Sequence, residues 1–502
     1  MRQLVDFLYK QQFKDAQLSA QLTLLELPNL MALLAWIPDK ATPEKVVNLA
    51  GNIEQLLARL NHPQALAQAI AVREQAKQSL TGWSRAQFQS ERLQIERLLD
   101  KWNLPAAYTA AQALWQHSVE AGEKAYPDAD YDMAMAYKLL GQVLNRGGQA
   151  EAALQPLNEA QQRFQQLADT GNQSAERMAS GAIMERGDCL IDLGQLEEAA
   201  TAYQTAIQLD EKQEDARSVA VGKGQLGTVR LKQKRYDDAL EHYTEAKTIV
   251  EALGEWGSVA SAWHQIGMVH KEAKQFEVAE QAYRQSLAIC VQLKNKAGEA
   301  SSLGEVGNLY LAMERLEEAV VFFRQAADIH VELKNMKDEG SDRNNLAHTL
   351  IKLHRYDEAR RELQRGLECL KPFGHAATPW KAWAILYVLE QATNHPQAAA
   401  EARQQAIERF MAYRRASGEN YSGAGQLCLF MAQAMRDGKI SEAEQELAKW
   451  ADHPEAKLMI SKLQAILKGD RNPKLADDAE LSYNMVVELR LLLESLQRRE
   501  YN

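Results

Sequence analysis

Between Met184 and Leu367 the small and apolar positions recur with a period of 40 residues. Glycine stands at Gly187, Gly227, Gly267 and Gly307, and Ala347 holds the next place. Twelve residues beyond each comes alanine: Ala199, Ala239, Ala279, Ala319, Ala359. Sixteen beyond comes a ring or a leucine: Tyr203, Tyr243, Tyr283, Phe323, Leu363. Nineteen beyond comes a small residue again: Ala206, Ala246, Ser286, Ala326, Gly366. These distances predict two closely crossing helices per period, with the small residue of the first against the alanine of the second. Self-similarity at such a period predicts a solenoid, because no unit has a core of its own and each buries its face on its neighbours. The expected fold class is all-α, an α-solenoid of antiparallel helix pairs. Glycine inside a helix costs about 1 kcal/mol against alanine, so four at one register place imply that a side chain there would hold the helices apart.

Outside this stretch the same period continues in weaker form. Residues 1 to about 38 read as two or three short helices. Thr42-Pro43-Glu44 opens the next helix with Thr as N-cap and Pro at the first helical position. Further helices are expected over 64–80, 84–101 and 104–122, turned at Asn61 to Pro63 and at Asn103 to Pro105. Gly141, Ala153, Leu157 and Ala160 form the first unit with correct offsets, and the 46-residue step from Gly141 to Gly187 implies an insertion near Asp169 to Gln173. Beyond Ala347 the register passes through Tyr387, Ala399 and Ala406. Three regions result: 1–125, a helical region of degenerate repeats or cap; 126–410, the regular array; and 411–502, a degenerate repeat and capping helices.

The segments "QLGTV…RYDDALEHYTEA" (Gln225 to Ala246) and "QIGMV…QFEVAEQAYRQS" (Gln265 to Ser286) carry Leu or Ile before Gly, then Ala, an aromatic and a small residue. This order resembles the tetratricopeptide repeat, lengthened from its usual period of about 34 to 40 residues. Long-helix arrays of this kind occur in kinesin light chains, spindle-orientation scaffolds and bacterial STAND signalling proteins. "LPNLMALLAWIP" (Leu27 to Pro38) resembles the segment that joins the ATPase and winged-helix module of STAND proteins to their repeat arm, and it equally suits an amphipathic cap on the first repeat. No Gly-x-x-x-x-Gly-Lys-Ser/Thr is present, so the sequence carries no P-loop of its own.

The resemblance also implies where a partner would lie. In tetratricopeptide proteins the first helix of each unit lines the groove, at positions −3, +1, +4 and +5 from the glycine. Here those positions supply Met184, Asp188, Thr228, His264, Met268, Lys271, Asn308, Asn344, His348 and Lys352 as candidate partner-binding residues. In kinesin-type arrays, asparagines at such places clamp the backbone of an extended peptide; only Asn308 matches at +1, and Asn344 with Asn345 lies before Ala347. The implied function is a non-catalytic scaffold or adaptor that holds a protein helix, loop or extended peptide in the groove. Its expected setting is a bacterial signalling or defence complex. The alternative is a receptor for a small signalling peptide or metabolite.

Composition narrows the classes. With 46% hydrophobic and 25% charged residues the chain reads as ordinary soluble protein, and 12 prolines in 502 residues suit long helices. A net charge of −10 argues against direct nucleic-acid binding, which needs a basic stripe to neutralise phosphates. Cys189, Cys290, Cys369 and Cys428 are scattered, with neither a disulfide framework nor zinc spacing, so a reducing, cytoplasmic setting is expected. The longest apolar run, Leu30 to Ile37, is eight residues, far short of a membrane span. Arg2, Asp6 and Lys10 leave no apolar signal-peptide core.

Candidate chemistry dissolves on inspection. Gly222-Lys-Gly224-Gln-Leu-Gly227 matches GxGxxG, but the dinucleotide motif follows a strand, whereas this stretch falls inside a repeat helix. His264 and His270 are six apart, which is no helical ligand spacing, so no metal is expected. Glu197-Glu198 and Glu317-Glu318 stand where acids favour a helix N-terminus. No cofactor or catalytic residue is expected, and the chain is not read as an enzyme.

Overall fold

The computed structural model describes residues 2–12, 16–58, 60, 62–415, 422–450 and 456–500. Every regular element among them is helical. The first group is α1 (Arg2–Gln11), α2 (Ala16–Leu25), α3 (Leu27–Trp36), α4 (Pro43–Ala58), α5 (Pro63–Lys77), α6 (Arg85–Asp100) and α7 (Leu104–Ala121). The regular array follows as α8 (Ala129–Arg146), α9 (Ala150–Asp169), α10 (Gln173–Asp192), α11 (Leu196–Lys212), α12 (Ala216–Lys232), α13 (Tyr236–Ala252) and α14 (Trp256–Glu272). It continues with α15 (Phe276–Gln292), α16 (Lys296–Ala312), α17 (Leu316–Glu332), α18 (Met336–Lys352) and α19 (Tyr356–Leu370), after which come α20 (Pro379–Ala392) and α21 (Pro396–Arg415). Last come α22 (Gly423–Arg436), α23 (Ile440–Trp450), α24 (Lys457–Leu467) and α25 (Tyr483–Glu500). The fold is an α-solenoid of stacked helix pairs. The chain forms two compact units, Met1–Gly222 and Lys223–Asn502.

The 40-residue period has a plain local origin. From α11 to α18 every helix has 17 residues, and every turn from α10 to α19 has three. Two helices and two turns make up one period. The middle turn residue is left-handed each time: Gly194, Glu214, Lys234, Gly254, Lys274, Lys294, Glu314, Lys334 and His354, at φ between 54° and 72°. The N–H of the next residue then reaches back five places, as Gln275 N to His270 O at 2.8 Å and Asn335 N to His330 O at 2.9 Å. This is the Schellman cap, which satisfies carbonyls left open at a helix end. The expected insertion near Asp169 is taken up as helix: α9 and α10 each run to 20 residues around an ordinary three-residue turn.

Packing corrects one detail of the expected pair. The glycines face the ring sixteen places on, with the alanine elsewhere in the seam. A methyl group built on Gly187, Gly267 or Gly307 would come within 2.7–2.8 Å of Tyr203, Tyr283 or Phe323, and one on Gly227 within 3.1 Å of Tyr243. Where a methyl group is present, at Ala347, the residue sixteen on is Leu363, and both are buried in one cluster. The five alanines at +12 are themselves fully buried.

Within the first unit, Val5, Leu8, Leu30, Leu34, Ile53 and Leu57 join α1, α3 and α4 in one apolar cluster. Arg73 is fully buried there, donating to Glu54 Oε2 at 2.8 Å and paired with Ser90, while Arg97 reaches Glu54 Oε1 at 2.6 Å. The expected turn at Asn61 falls outside the described residues, although His62 and Pro63 do precede α5. Within the second unit the period breaks after α19, where a 3₁₀ segment, Lys371–Ala377, replaces the short turn. Helices α20 to α25 then close on a common cluster centred on Trp380, Phe410, Met431, Leu463 and Val487. Arg414 Nε donates to the buried Glu488 of α25 at 2.7 Å. No single described helix is long and apolar enough to cross a membrane. The bent pair Leu18–Leu25 and Leu27–Asp39 reaches the length and composition, but its Leu30, Leu33 and Leu34 are buried in the first-unit cluster.

Candidate functional site

Each first helix of the array turns its glycine toward the ring of its own pair, so residues one turn to either side share the face beside that ring. In the second unit this face gathers a polar cluster on α14, α15 and α16. Glu305, two residues before Gly307, lies at its centre. Lys271 Nζ donates to Glu305 Oε2 at 2.8 Å, Asn308 Nδ2 to Oε1 at 3.1 Å, and the Tyr283 hydroxyl to Oε2 at 3.4 Å. The His264 ring meets Tyr283 edge-on, with centroids 5.7 Å apart. Three candidate residues, His264, Lys271 and Asn308, therefore come together. Burial alone would raise the Glu305 carboxyl, but Lys271, His264 and the Asn308 amide outweigh it and hold it below its ordinary range. Burial also lowers His264, so the imidazole favours its neutral form.

Glu305 itself was not among the sequence candidates. The signal was there: the position two before the origin holds Glu185, Gln225, Gln265, Glu305 and Asn345, polar in every unit. It matters because it meets the ring of the preceding pair. Tyr243 lies between its own +1 residue, Thr228 Oγ1 at 2.8 Å, and Gln265 Oε1 of the next helix at 3.4 Å. The +1 residue and the ring hydroxyl thus form a ladder, and Thr228 is committed to it.

The remaining candidates are dispersed. Met268 is half-buried and packs against the apolar cluster of α15 to α20. Asn344 is buried, its Oδ1 directed at Gly366 of α19, where a methyl group would meet it at 2.8 Å. His348 and Lys352 are exposed on α18. In the first unit, Met184 is half-buried, and Asp188 Oδ1 accepts the Tyr203 hydroxyl at 2.5 Å. Burial lifts the Asp188 carboxyl to about 6 against the pull of that hydrogen bond, with Glu185 and Asp192 adding to the rise.

A second half-buried carboxyl group stands beside the Glu305 cluster. Asp342 of α18 occupies a register place held elsewhere by Ala182, Gly222, Ala262 and Ser302. The space for it is opened by Gly304: a methyl group there would lie 3.3 Å from Asp342 Oδ1. Burial raises Asp342 to about 8, helped by Asp338 and Glu305, and the nearest base is His330 Nε2 at 3.5 Å from Oδ2.

The rejected motifs have structural explanations. Gly222 and Gly227 lie within α12, Gly222 against Ile207 and Gly227 against Tyr243. His270 Nδ1 is 2.7 Å from Gln275 Oε1. All four cysteines are buried and free. Among the described residues no three His, Cys, Asp or Glu side chains are grouped to hold a metal ion.

Residues 179–255 and 258–330 match the tetratricopeptide repeat family. These segments are tetratricopeptide repeats. No curated protein matches the sequence. Among solved structures the chain is similar to a STAND signal transduction ATPase with a tetratricopeptide repeat sensor from Pyrococcus horikoshii, at 14% identity and TM-score 0.49, over 74% of this chain and 54% of that one. It is also similar to a Rap protein complexed with Competence and Sporulation Factor, at 16% identity and TM-score 0.45, over 78% of this chain and 99% of that one. A third is a putative kinesin light chain with TPR-like repeats from Podosopora anserina, at 13% identity and TM-score 0.36, over 42% and 97%. The repeat assignment stands on the family match.

Proposed function

We propose that this chain is a non-catalytic scaffold whose first-helix faces in the second unit, from Thr228 to Lys352, hold a segment of a partner protein. The observation that carries this reading is the contrast between a constant packing set and a variable +1 position: Asp188, Thr228, Met268, Asn308 and His348. Variation at one geometric place on a repeated frame is how such a surface acquires specificity. Lys271, Asn308, His348 and Lys352 give this face its hydrogen-bonding capacity, and Met268 gives it an adaptable apolar contact. The partner is a helix, loop or extended peptide rather than nucleic acid, in keeping with the net charge of −10. The setting we favour is a cytoplasmic signalling or defence complex in a bacterium.

The test begins with affinity capture on the full chain, followed by titration of the captured protein. The variant carries Asn308→Ala, His348→Ala and Lys352→Ala, which leave the glycine, alanine and ring positions untouched. Affinity should fall by tenfold or more, about 1.4 kcal/mol, with unchanged helicity. Full affinity in the variant would place the binding face elsewhere. Recovery of a low-mass ligand in native mass spectrometry, in place of a protein, would favour a receptor for a small peptide or metabolite.

A further inference from the structure

The break in the period after α19 opens a cavity beside the link. The link from Lys371 to Thr378 contains two left-handed residues, Gly374 at φ 53°, ψ −132° and Thr378 at φ 45°, ψ 50°. Only glycine takes the first of these without strain. The cavity holds about 380 Å³ between α19, the link, the start of α20, and α21. Its walls are apolar: Leu367, Leu370, Pro379 and Trp383. Two cations, Lys371 and Arg409, also line it. The Arg409 guanidinium sits 5.6 Å from the centre of the Trp383 ring and donates to Gln405 Oε1 at 3.1 Å.

The charge state of this site sets it apart from its surroundings. On α18, the turn after it and α19, Arg343, Arg355, Arg360 and Arg365 each hold a glutamate. Neither Lys371 nor Arg409 makes an ion pair among the described residues, although both border an apolar space. The one acid in the lining, Glu368, is already approached by Arg365 Nη1 at 3.8 Å. An apolar floor with two uncompensated cations at its edge suits a ligand with an apolar body and a carboxylate: the body lies against Trp383 and the leucines, and the anion meets Arg409 and Lys371. The volume is at the small end of ligand sites, enough for one aromatic or branched side chain and its acid group, and too small for a folded segment.

We propose that the cavity between α19, α20 and α21 binds a small carboxylate with one large apolar group, a site distinct from the first-helix face. Two sources share that chemistry, a free aromatic acid and the carboxyl terminus of a peptide ending in a large apolar residue. The experiment titrates the full chain by calorimetry with 3-phenylpropionate, with an acetylated tripeptide ending in Phe, and with the amide of each. At least one acid should bind at low millimolar concentration or better, and its amide at least tenfold more weakly. Arg409→Gln and Lys371→Gln, both on the surface, should each weaken the acid without changing the circular dichroism spectrum, and Leu367→Asp should abolish it. Binding by the free acid alone marks a metabolite site, and binding by the peptide alone marks a chain-terminus site. The proposal is overturned if neither acid binds, if an amide binds as well as its acid, or if Arg409→Gln leaves the affinity unchanged.

Discussion

One methyl group decides how the two helices of a repeat approach. At Gly267 it would collide with the Tyr283 ring at 2.7 Å. Alanine gains about 1 kcal/mol in helix propensity, but overpacking a tight seam costs about 1–3 kcal/mol. The balance goes against the substitution because Tyr283 is fully buried and cannot step aside. We expect Gly267→Ala to lower stability in urea, and Gly267→Ala with Tyr283→Leu to recover part of the loss, since the chain already pairs Ala347 with Leu363. A double-mutant cycle with no coupling would contradict a direct contact between Gly267 and the Tyr283 ring. Asp342 makes a second residue-scale case. Its pKa in the folded chain, about 8, lies above the unfolded value of 3.8, so the folded state favours the protonated form. The stability contributed by that proton is complete below about pH 4 and is lost as the pH rises toward 8. Asp338, Glu305 and His330 face the group, and none of them supplies a fixed positive charge. Asp342→Asn should therefore stabilise the chain by an amount that grows between pH 4 and 8 and then levels off, on the order of a few kcal/mol. Thermal melts across that range would show parallel curves if the carboxyl were in fact ionised throughout.

The helix and turn lengths explain what could be read before folding and what could not. A strict 17-plus-three rhythm puts like residues at like places, so the period, the helix pairs and the all-helical class were legible from Gly, Ala and ring positions alone. The identity of the glycine's neighbour was not, because offsets of +12 and +16 both fall on the facing side of the second helix. Nor was Glu305, whose importance depends on the preceding pair's ring, a contact that no spacing within one unit reveals. Asn344 shows the converse failure: its register suits the partner face, yet the missing side chain of Gly366 draws it into the seam with α19. The cavity beyond α19 was invisible for a third reason, since it exists where the pattern stops. At the turns, a lysine in the left-handed region carries a cost of about 1–2 kcal/mol that glycine avoids. Lys274→Gly and Lys334→Gly should each raise stability by about 0.5–1 kcal/mol, after allowance for the freer unfolded chain. A loss of melting temperature in both would mean that these lysines hold something the caps need.

Across the whole molecule, stability is distributed. Each apolar cluster draws on a few successive helices, as in a chain whose units interact only with their neighbours. No single core has to be complete before another forms. The equal helices and turns then have a consequence for how such a molecule can change length. Removing residues 263–302 would splice Ala262 onto Leu303, and the first seven residues of α14 would continue into the last ten of α16 as one helix of 17. Every seam downstream would meet the kind of surface it meets now, so a gene edited by one whole period should still encode a folded protein. An excision of 38 residues would turn the following helix by about 200° and bring polar faces into the seams. Folded, cooperative melting of the first deletion and aggregation of the second would identify the 40-residue period as a unit of recombination, able to be gained or lost without redesigning its neighbours.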